Sequence, residues 1–234
     1  SLLSGQKWEI TGDFPFSFRP ASKITVDNLM AVLRDHYERT EYDATSGYKQ
    51  GSPNKTKFRT ICTASTINSF VACLNGQKPE PISVLTWLAF GKPDTTVFLP
   101  VYYGLESLPP GAGFGSNDHD YELLYEQHFN PVEIKAASHQ LLSTRVRQYE
   151  NLVESNYGQM IESVRKDLWQ VERECQNNSR EFEARFFSLY PGDKKGAQEL
   201  LNDYELAIFK KIISLYDQLL KENKPGVTAS EAEF

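Results

Sequence analysis

The 234 residues include only three cysteines, two methionines and four histidines, and no apolar run is long. Each scarcity excludes something. Cys62, Cys73 and Cys175 are odd in number and widely spaced, so they cannot all pair within the chain and match no zinc pattern. They read as free thiols. His36, His128 and His139 stand in no His-x-x-x-His relation, so the histidines call for no resident metal, and no motif calls for a cofactor. The longest apolar stretches, such as Val84 to Phe90 with Thr86 inside it, fall far short of the ~20 residues that cross a bilayer. A membrane is not an expected partner. Lys plus Arg number 25 against 31 for Asp plus Glu, a net charge of −6, without the basic excess that phosphate neutralisation demands. Nucleic acid is not expected either. Ser1 to Gly5 show no basic segment leading into an apolar one, so no secretory leader is read there.

What is present is a globular composition, 40% hydrophobic and 24% charged. Between Lys7 and Pro20, Trp8, Phe14, Phe16 and Phe18 alternate with small or polar residues, which suggests short extended pieces. Thr25 reads as an N-cap, with Val26, Leu29, Met30, Leu33 and Tyr37 at helical spacing behind it. One amphipathic helix to about Tyr37 is predicted, followed by a polar loop to Lys57. Phe58 to Leu74 is rich in β-branched and aromatic residues and predicts two strands or one long bent one. Val84 to Phe90 and Thr95 to Tyr103, separated by Gly91-Lys92-Pro93-Asp94, predict a hairpin. These runs are apolar on both faces, so both faces of a small antiparallel sheet are expected to be covered.

Beyond the Leu108 to Ser116 stretch, apolar residues step by three or four from Val146 to Cys175. They predict a long helix of about Ser138 to Cys175, kinked near Gly158, then a separate helical piece Phe182 to Tyr190. Leu201, Tyr204, Ile208, Ile212, Leu215 and Leu219 repeat the pattern between Lys195 and Glu222, giving a helical hairpin, and the tail from Lys224 is polar. The expected class is α+β. Residues 1–115 form the mixed helix and sheet portion, and 116–234 the helical portion of the same domain.

Motif chemistry is thin. The run Gly111 to Gly115 lacks the strand before it and the Lys-Ser/Thr after it that a phosphate loop needs, so it reads as a connector. Asp118-His119-Asp120 reads as a solvated loop, because three adjacent ligands without a distant partner make a poor metal site. His36 is expected to cap the C-terminal end of its helix. Cys62 reads as a buried thiol, since no base is spaced to activate it. Ser1 reads as a chain boundary, not a nucleophile.

The segment Ile24 to Thr40, ending Leu33-Arg34-Asp35-His36-Tyr37-Glu38-Arg39-Thr40, with Tyr42-Asp43 and Thr45 after it, resembles a signature of dipeptidase A-type peptidases and their secernin relatives. Arg59-Thr60-Ile61-Cys62-Thr63, Ser69 to Ala72, Trp87 to Gly91 and Thr96 to Gly104 are similar to further stretches of that family in the same order. Arg39 stands where the family usually has Gly, and Thr60 where it has Pro. The resemblance implies an N-terminal nucleophile hydrolase, with stacked antiparallel sheets between helical layers and a processed N-terminal cysteine as nucleophile. It also implies that the cysteine lies upstream of the matched segments, so this chain corresponds to the C-terminal part of a dipeptidase.

Expected partners are then a small peptide substrate and the N-terminal half of the same protein, with oligomerisation open. Arg59, matching the family's arginine at the head of that stretch, is the expected catalytic residue of this portion, acting beside the nucleophile to favour its thiolate. The alternative reading is a non-catalytic binding or scaffold domain derived from the same family.

Overall fold

Thr25 starts the first helix as its spacing predicts. In the computed structural model, which describes residues 3–5, 16–45, 51–55, 59–112 and 141–223, the Thr25 hydroxyl accepts from the Asn28 N–H at 3.2 Å and the Asn28 side chain accepts from the Thr25 N–H at 3.0 Å. This reciprocal cap satisfies two amides that a helix start leaves open. Helix α1 spans Val26–Leu33, shorter than the expected end near Tyr37. The cause is local: Asp35 Oδ1 takes the Tyr37 N–H at 2.7 Å, and Tyr37 and Arg39 both adopt positive φ, 62° and 64°. The left-handed region costs an L-residue about 1–2 kcal/mol, which explains why a glycine suits position 39 in the family's signature.

Strands β1 (Asn68–Leu74), β2 (Val84–Phe90) and β3 (Leu99–Tyr102) form one antiparallel sheet in the order β1-β2-β3. The register pairs Val71 with Trp87 and Trp87 with Pro100. The predicted hairpin is present, but its second strand begins at Leu99 and not at Thr95, because Arg34 takes the Thr96 carbonyl and Glu172 the Phe98 amide. Among the described residues of the expected 58–74 stretch, however, strand structure is confined to Asn68–Leu74, because the Cys62 N–H is taken by the Asp35 carbonyl at 3.1 Å and residues 63–66 make a turn. The connector is recruited by the turn after α1 instead of the sheet. Nor are both sheet faces covered: β1 buries Ser69 and Val71 but leaves Phe70 and Leu74 exposed.

Three helices follow. The expected single helix with a Gly158 kink is two, α2 (Leu142–Ser155) and α3 (Tyr157–Leu189), broken at Asn156 (φ −131°, ψ 32°). Helix α3 runs unbroken through the segment expected to stand apart. Its polar stretch Gln176 to Ser179 keeps helical bonding, and the Ser179 hydroxyl donates to the Cys175 carbonyl one turn back at 2.9 Å. Helix α4 (Lys194–Glu222) is capped by Asp193, which accepts from the Gly196 N–H at 2.8 Å.

Helix α4 packs on α2 and α3, which in turn meet the sheet. Tyr204 stacks on Phe182 with ring centroids 4.3 Å apart, and Tyr102 of β3 lies 5.1 Å from Phe182. A single apolar cluster runs from Met30 through the sheet to Leu219. Trp8, Phe14, Gly113, Gly115, the Asp118-His119-Asp120 triplet, His128, His139 and the tail from Lys224 lie outside the described residues, as does the 115/116 boundary. Among the described residues no helix is long and apolar enough to cross a membrane.

Each long helix also sends one buried glutamate to a backbone amide of the 92–102 segment. Glu150 of α2 accepts from the Lys92 N–H, Glu172 of α3 from the Phe98 N–H at 2.9 Å, and Glu205 of α4 from the Tyr102 N–H at 2.7 Å. A buried amide left unpaired costs about 1–3 kcal/mol, so these carboxyls close the side of β3 and its approach that no strand covers. Gly91 is required beside one of them. Its φ is 80°, and a Cβ there would run into the Glu150 carboxylate.

Burial lifts the Glu205 carboxyl from its usual 4.5 to about 8, with the Tyr102 N–H opposing it only in part, and lifts Glu150 to about 7 against the Lys92 amide and charge. Between pH ~4.5 and ~8 the folded state therefore holds protons that the unfolded chain has released, and stability falls as pH rises. Thermal denaturation across this range should show wild-type losing on the order of 3 kcal/mol through Glu205. Glu205→Gln should keep a shallower decline, carried by Glu150. Equal slopes in the two proteins would show that Glu205 does not hold its proton.

Candidate functional site

The turn that ends α1 distributes its side chains in two directions. Arg34, its C-cap residue, points toward α3, where Nη1 and Nη2 meet the two Glu172 carboxylate oxygens at 3.1 and 2.6 Å. Its Nε donates to the Pro93 carbonyl at 2.7 Å and Nη2 to the Thr96 carbonyl at 3.3 Å. The guanidinium also lies 4.9 Å from the Phe98 ring and 5.3 Å from the Trp169 ring. Five donors in a rigid plane are what such a site needs; a lysine could not reach both oxygens and both carbonyls.

His36 goes the other way. It does not cap the helix, which has already ended, but is fully buried, with Nε2 3.6 Å from Asp94 Oδ2 and Nδ1 3.6 Å from Glu38 Oε1. Cys62 donates to Asp94 Oδ1 at 3.3 Å, and the Tyr157 hydroxyl donates to Asp94 Oδ2 at 2.7 Å. The order is cysteine, aspartate, histidine. A nucleophile–base arrangement needs the histidine in the middle. Burial, reinforced by the Asp94 charge, pushes the Cys62 thiol far up, the opposite of an activated thiolate. The expectation of a buried, unreactive Cys62 agrees with this geometry. His36, Cys62 and Asp94 do have the donor types and separations to hold a metal ion.

Between α1, its turn and α3 opens a cleft of about 860 Å³. Arg34 and Glu172 form its floor, and Asp27, Asp35, Glu38, Arg39, Arg165 and Arg173 supply further charge of both signs, with Trp169 and Met30 as apolar wall. Burial, then sharing of a proton with Glu38, raises Asp35 to about 6. Burial would raise Glu38 as well, but contact with the His36 ring and the Asp35 carboxyl outweighs it and holds Glu38 low. Below about pH 6 one of the two adjacent carboxyls keeps a proton while the other stays ionised; above it both are charged.

Arg59 is exposed on the connector ahead of buried Thr60 and is not among the cleft's lining residues. Reading the sequence for reactive groups missed Glu172, Asp94 and Tyr157. Glu172 had a signal, since it occupies the apolar stripe of α3 four residues after Leu168 and three before Cys175; Asp94 had none beyond its turn.

Removing either partner of the Arg34–Glu172 pair strands the other in a poorly solvated place. Arg34→Lys and Glu172→Gln should each lower stability by about 2–4 kcal/mol in urea denaturation. The double variant should lose at least about 1 kcal/mol less than the sum; strict additivity would show that the two side chains act independently.

Residues 6–164 match Peptidase family C69, a span that takes in α1, its turn, the sheet, α2 and the start of α3. Similarity extends to individual proteins. A probable dipeptidase of Salmonella dublin is 30% identical over 102 residues, covering 44% of this chain and 23% of that protein. A probable dipeptidase of Latilactobacillus sakei is 27% identical over 150 residues, covering 63% and 27%. Dipeptidase A of Lactobacillus helveticus is 30% identical over 98 residues, covering 42% and 20%. The matched stretch is thus about a quarter of the length of the first two relatives. With the family match covering more than half of its residues and taking in α1 and the turn that form one side of the cleft, the chain belongs to Peptidase family C69.

Proposed function

We propose that this chain is the C-terminal portion of a cysteine-type dipeptidase and that its cleft holds a dipeptide, with the nucleophile supplied from outside the chain by an N-terminal nucleophile mechanism. The observation that carries the reading is the mixed charge of a cleft one side of which, α1 and its turn, lies in the family's matched segment. A free dipeptide is a zwitterion whose ammonium and carboxylate lie only a few ångströms apart. Such a ligand suits a small cleft with both carboxylates and guanidinium groups better than one of a single sign. With Arg34 and Glu172 committed to each other, Asp27, Asp35 and Glu38 offer acceptors for the ammonium, and Arg39 and Arg173 offer donors for the carboxylate.

The thiols support placing the nucleophile elsewhere. Burial raises all three, Cys62 and Cys73 upward and Cys175 to about 11. Attack on a peptide carbonyl needs thiolate. The same observation favours the second reading, a binding domain of this family without catalysis.

Calorimetric titration of the chain with a free dipeptide and with its N-acetyl amide should show at least tenfold weaker binding of the blocked form, and Arg173→Ala should weaken the free form. Equal affinities would overturn the cleft assignment. The chain alone should turn over no dipeptide, and turnover lost in Cys62→Ala would overturn the external nucleophile. If a longer polypeptide that includes the family's upstream cysteine binds dipeptides without hydrolysing them, the binding-domain reading replaces the first.

Arg59 is proposed as the catalytic arginine of this portion. Its exposure leaves the guanidinium open to a segment packed against the connector, where a fixed cation would favour the thiolate. In the longer polypeptide, Arg59→Lys should lower kcat/KM about tenfold, roughly 1.4 kcal/mol of transition-state stabilisation, with thermal stability unchanged. Wild-type turnover in Arg59→Ala would remove it from the site.

A further inference from the structure

The buried cluster behind the cleft has a feature that a purely structural hydrogen-bond network would not keep. His36 is completely buried, and neither of its ring nitrogens has a hydrogen-bond partner. A buried polar atom left this way is destabilising, and here there are two on one ring. Nε2 faces Asp94 Oδ2 at 3.6 Å, while Cys62 Sγ lies 3.3 Å from Asp94 Oδ1. One ligand atom from each of the three residues lies within 4.8 Å of the others. Ligands about 2.0–2.3 Å from a tetrahedral ion are separated by roughly 3.3–3.8 Å, the spacing found between the aspartate and each of its neighbours.

We propose that His36, Cys62 and Asp94 form a binding site for a zinc-class divalent cation. The donor set selects the ion. Thiolate and imidazole suit Zn²⁺ and its analogue Co²⁺, whereas Ca²⁺ and Mg²⁺ require six or more oxygens. Charge balances as well: a dication with one thiolate, one carboxylate and a neutral imidazole sums to zero, which is what a site without water access tolerates. Binding forms the metal–sulfur bond and breaks the S–H bond of Cys62, releasing that proton to solvent. The imidazole coordinates through the Nε2 lone pair and keeps its proton on Nδ1, which faces the ionised Glu38 carboxylate at 3.6 Å. A carboxylate behind the ring is the usual means of fixing a metal-binding histidine's tautomer. The Tyr157 hydroxyl, already on Asp94 at 2.7 Å, orients the carboxylate.

Such an ion would join the turn after α1, the connector, the β2–β3 loop and the first residue of α3, four segments far apart in sequence. None of the three ligands lines the cleft, so the proposal does not rest on dipeptide binding, although Glu38 both lines the cleft and faces the His36 ring.

The test is titration of the metal-free chain with Co²⁺ and Zn²⁺. One equivalent of Co²⁺ should bind with thiolate-to-cobalt charge-transfer absorption in the near ultraviolet, with one proton released per ion. Cys62→Ser should abolish the absorption, and Asp94→Asn should weaken binding at least tenfold. Cys73→Ser and Cys175→Ser should leave both unchanged, with circular dichroism reporting the fold of each variant. Absence of binding at tenfold excess, or absorption surviving in Cys62→Ser, overturns the site. Should Cys62→Ser fail to fold, X-ray absorption of zinc-loaded wild-type protein decides: one sulfur among nitrogen and oxygen ligands supports the site, and a shell without sulfur overturns it.

Discussion

Glu172 stands in the apolar stripe of α3, and both its oxygens find donors, from two directions. Arg34 grips both oxygens, and the Phe98 amide takes one of them as well. This carboxylate is where α3, the turn ending α1 and the approach to β3 are held together. Ion pairs in such places rarely exceed the stability of a well-packed apolar substitute; what they confer is position. Apolar packing would let α1 slide along α3, whereas the fork of Arg34, bonded also to the Pro93 and Thr96 carbonyls, admits one placement. The cleft exists because that placement leaves a gap between the two helices with the pair as its floor.

Glu150 and Glu205 extend the same device. A three-stranded sheet whose last strand has only four residues leaves amides without strand partners, and the helices complete them with carboxyls. Rising pH sets this arrangement against itself, since each buried carboxyl is easier to keep when protonated.

The hydrophobic periodicities were legible because burial dictates them. Thr25, the spacing from Val146 to Cys175 and the Gly91 turn follow from capping, stripe and turn chemistry acting locally. The misplaced limits have local causes too. Asp35 stops α1 early by taking the Tyr37 amide and draws Cys62 away from the sheet through its carbonyl. Neither could be read from apolar spacing, because both are single polar bonds. The exposure of Phe70 and Leu74 escaped for a different reason: an apolar side chain on a strand is equally compatible with a covered face and an open one.

Residues 33–40 entered the sequence reading only as a resemblance, with Arg59 as the sole site residue named, and the logic of the turn is visible only in three dimensions. Successive side chains of one turn serve opposite ends. Arg34 is spent on Glu172, Asp35 takes the Tyr37 amide beside Glu38, and His36 enters the core. Tyr37 and Arg39 take left-handed backbone, and Glu38 stands between the cleft that it lines and the His36 ring that it faces. A turn committed at so many points has little freedom to drift in sequence or shape. That explains why a family match follows it, while the helical hairpin, which needs only apolar residues at the right spacing, extends past the matched span.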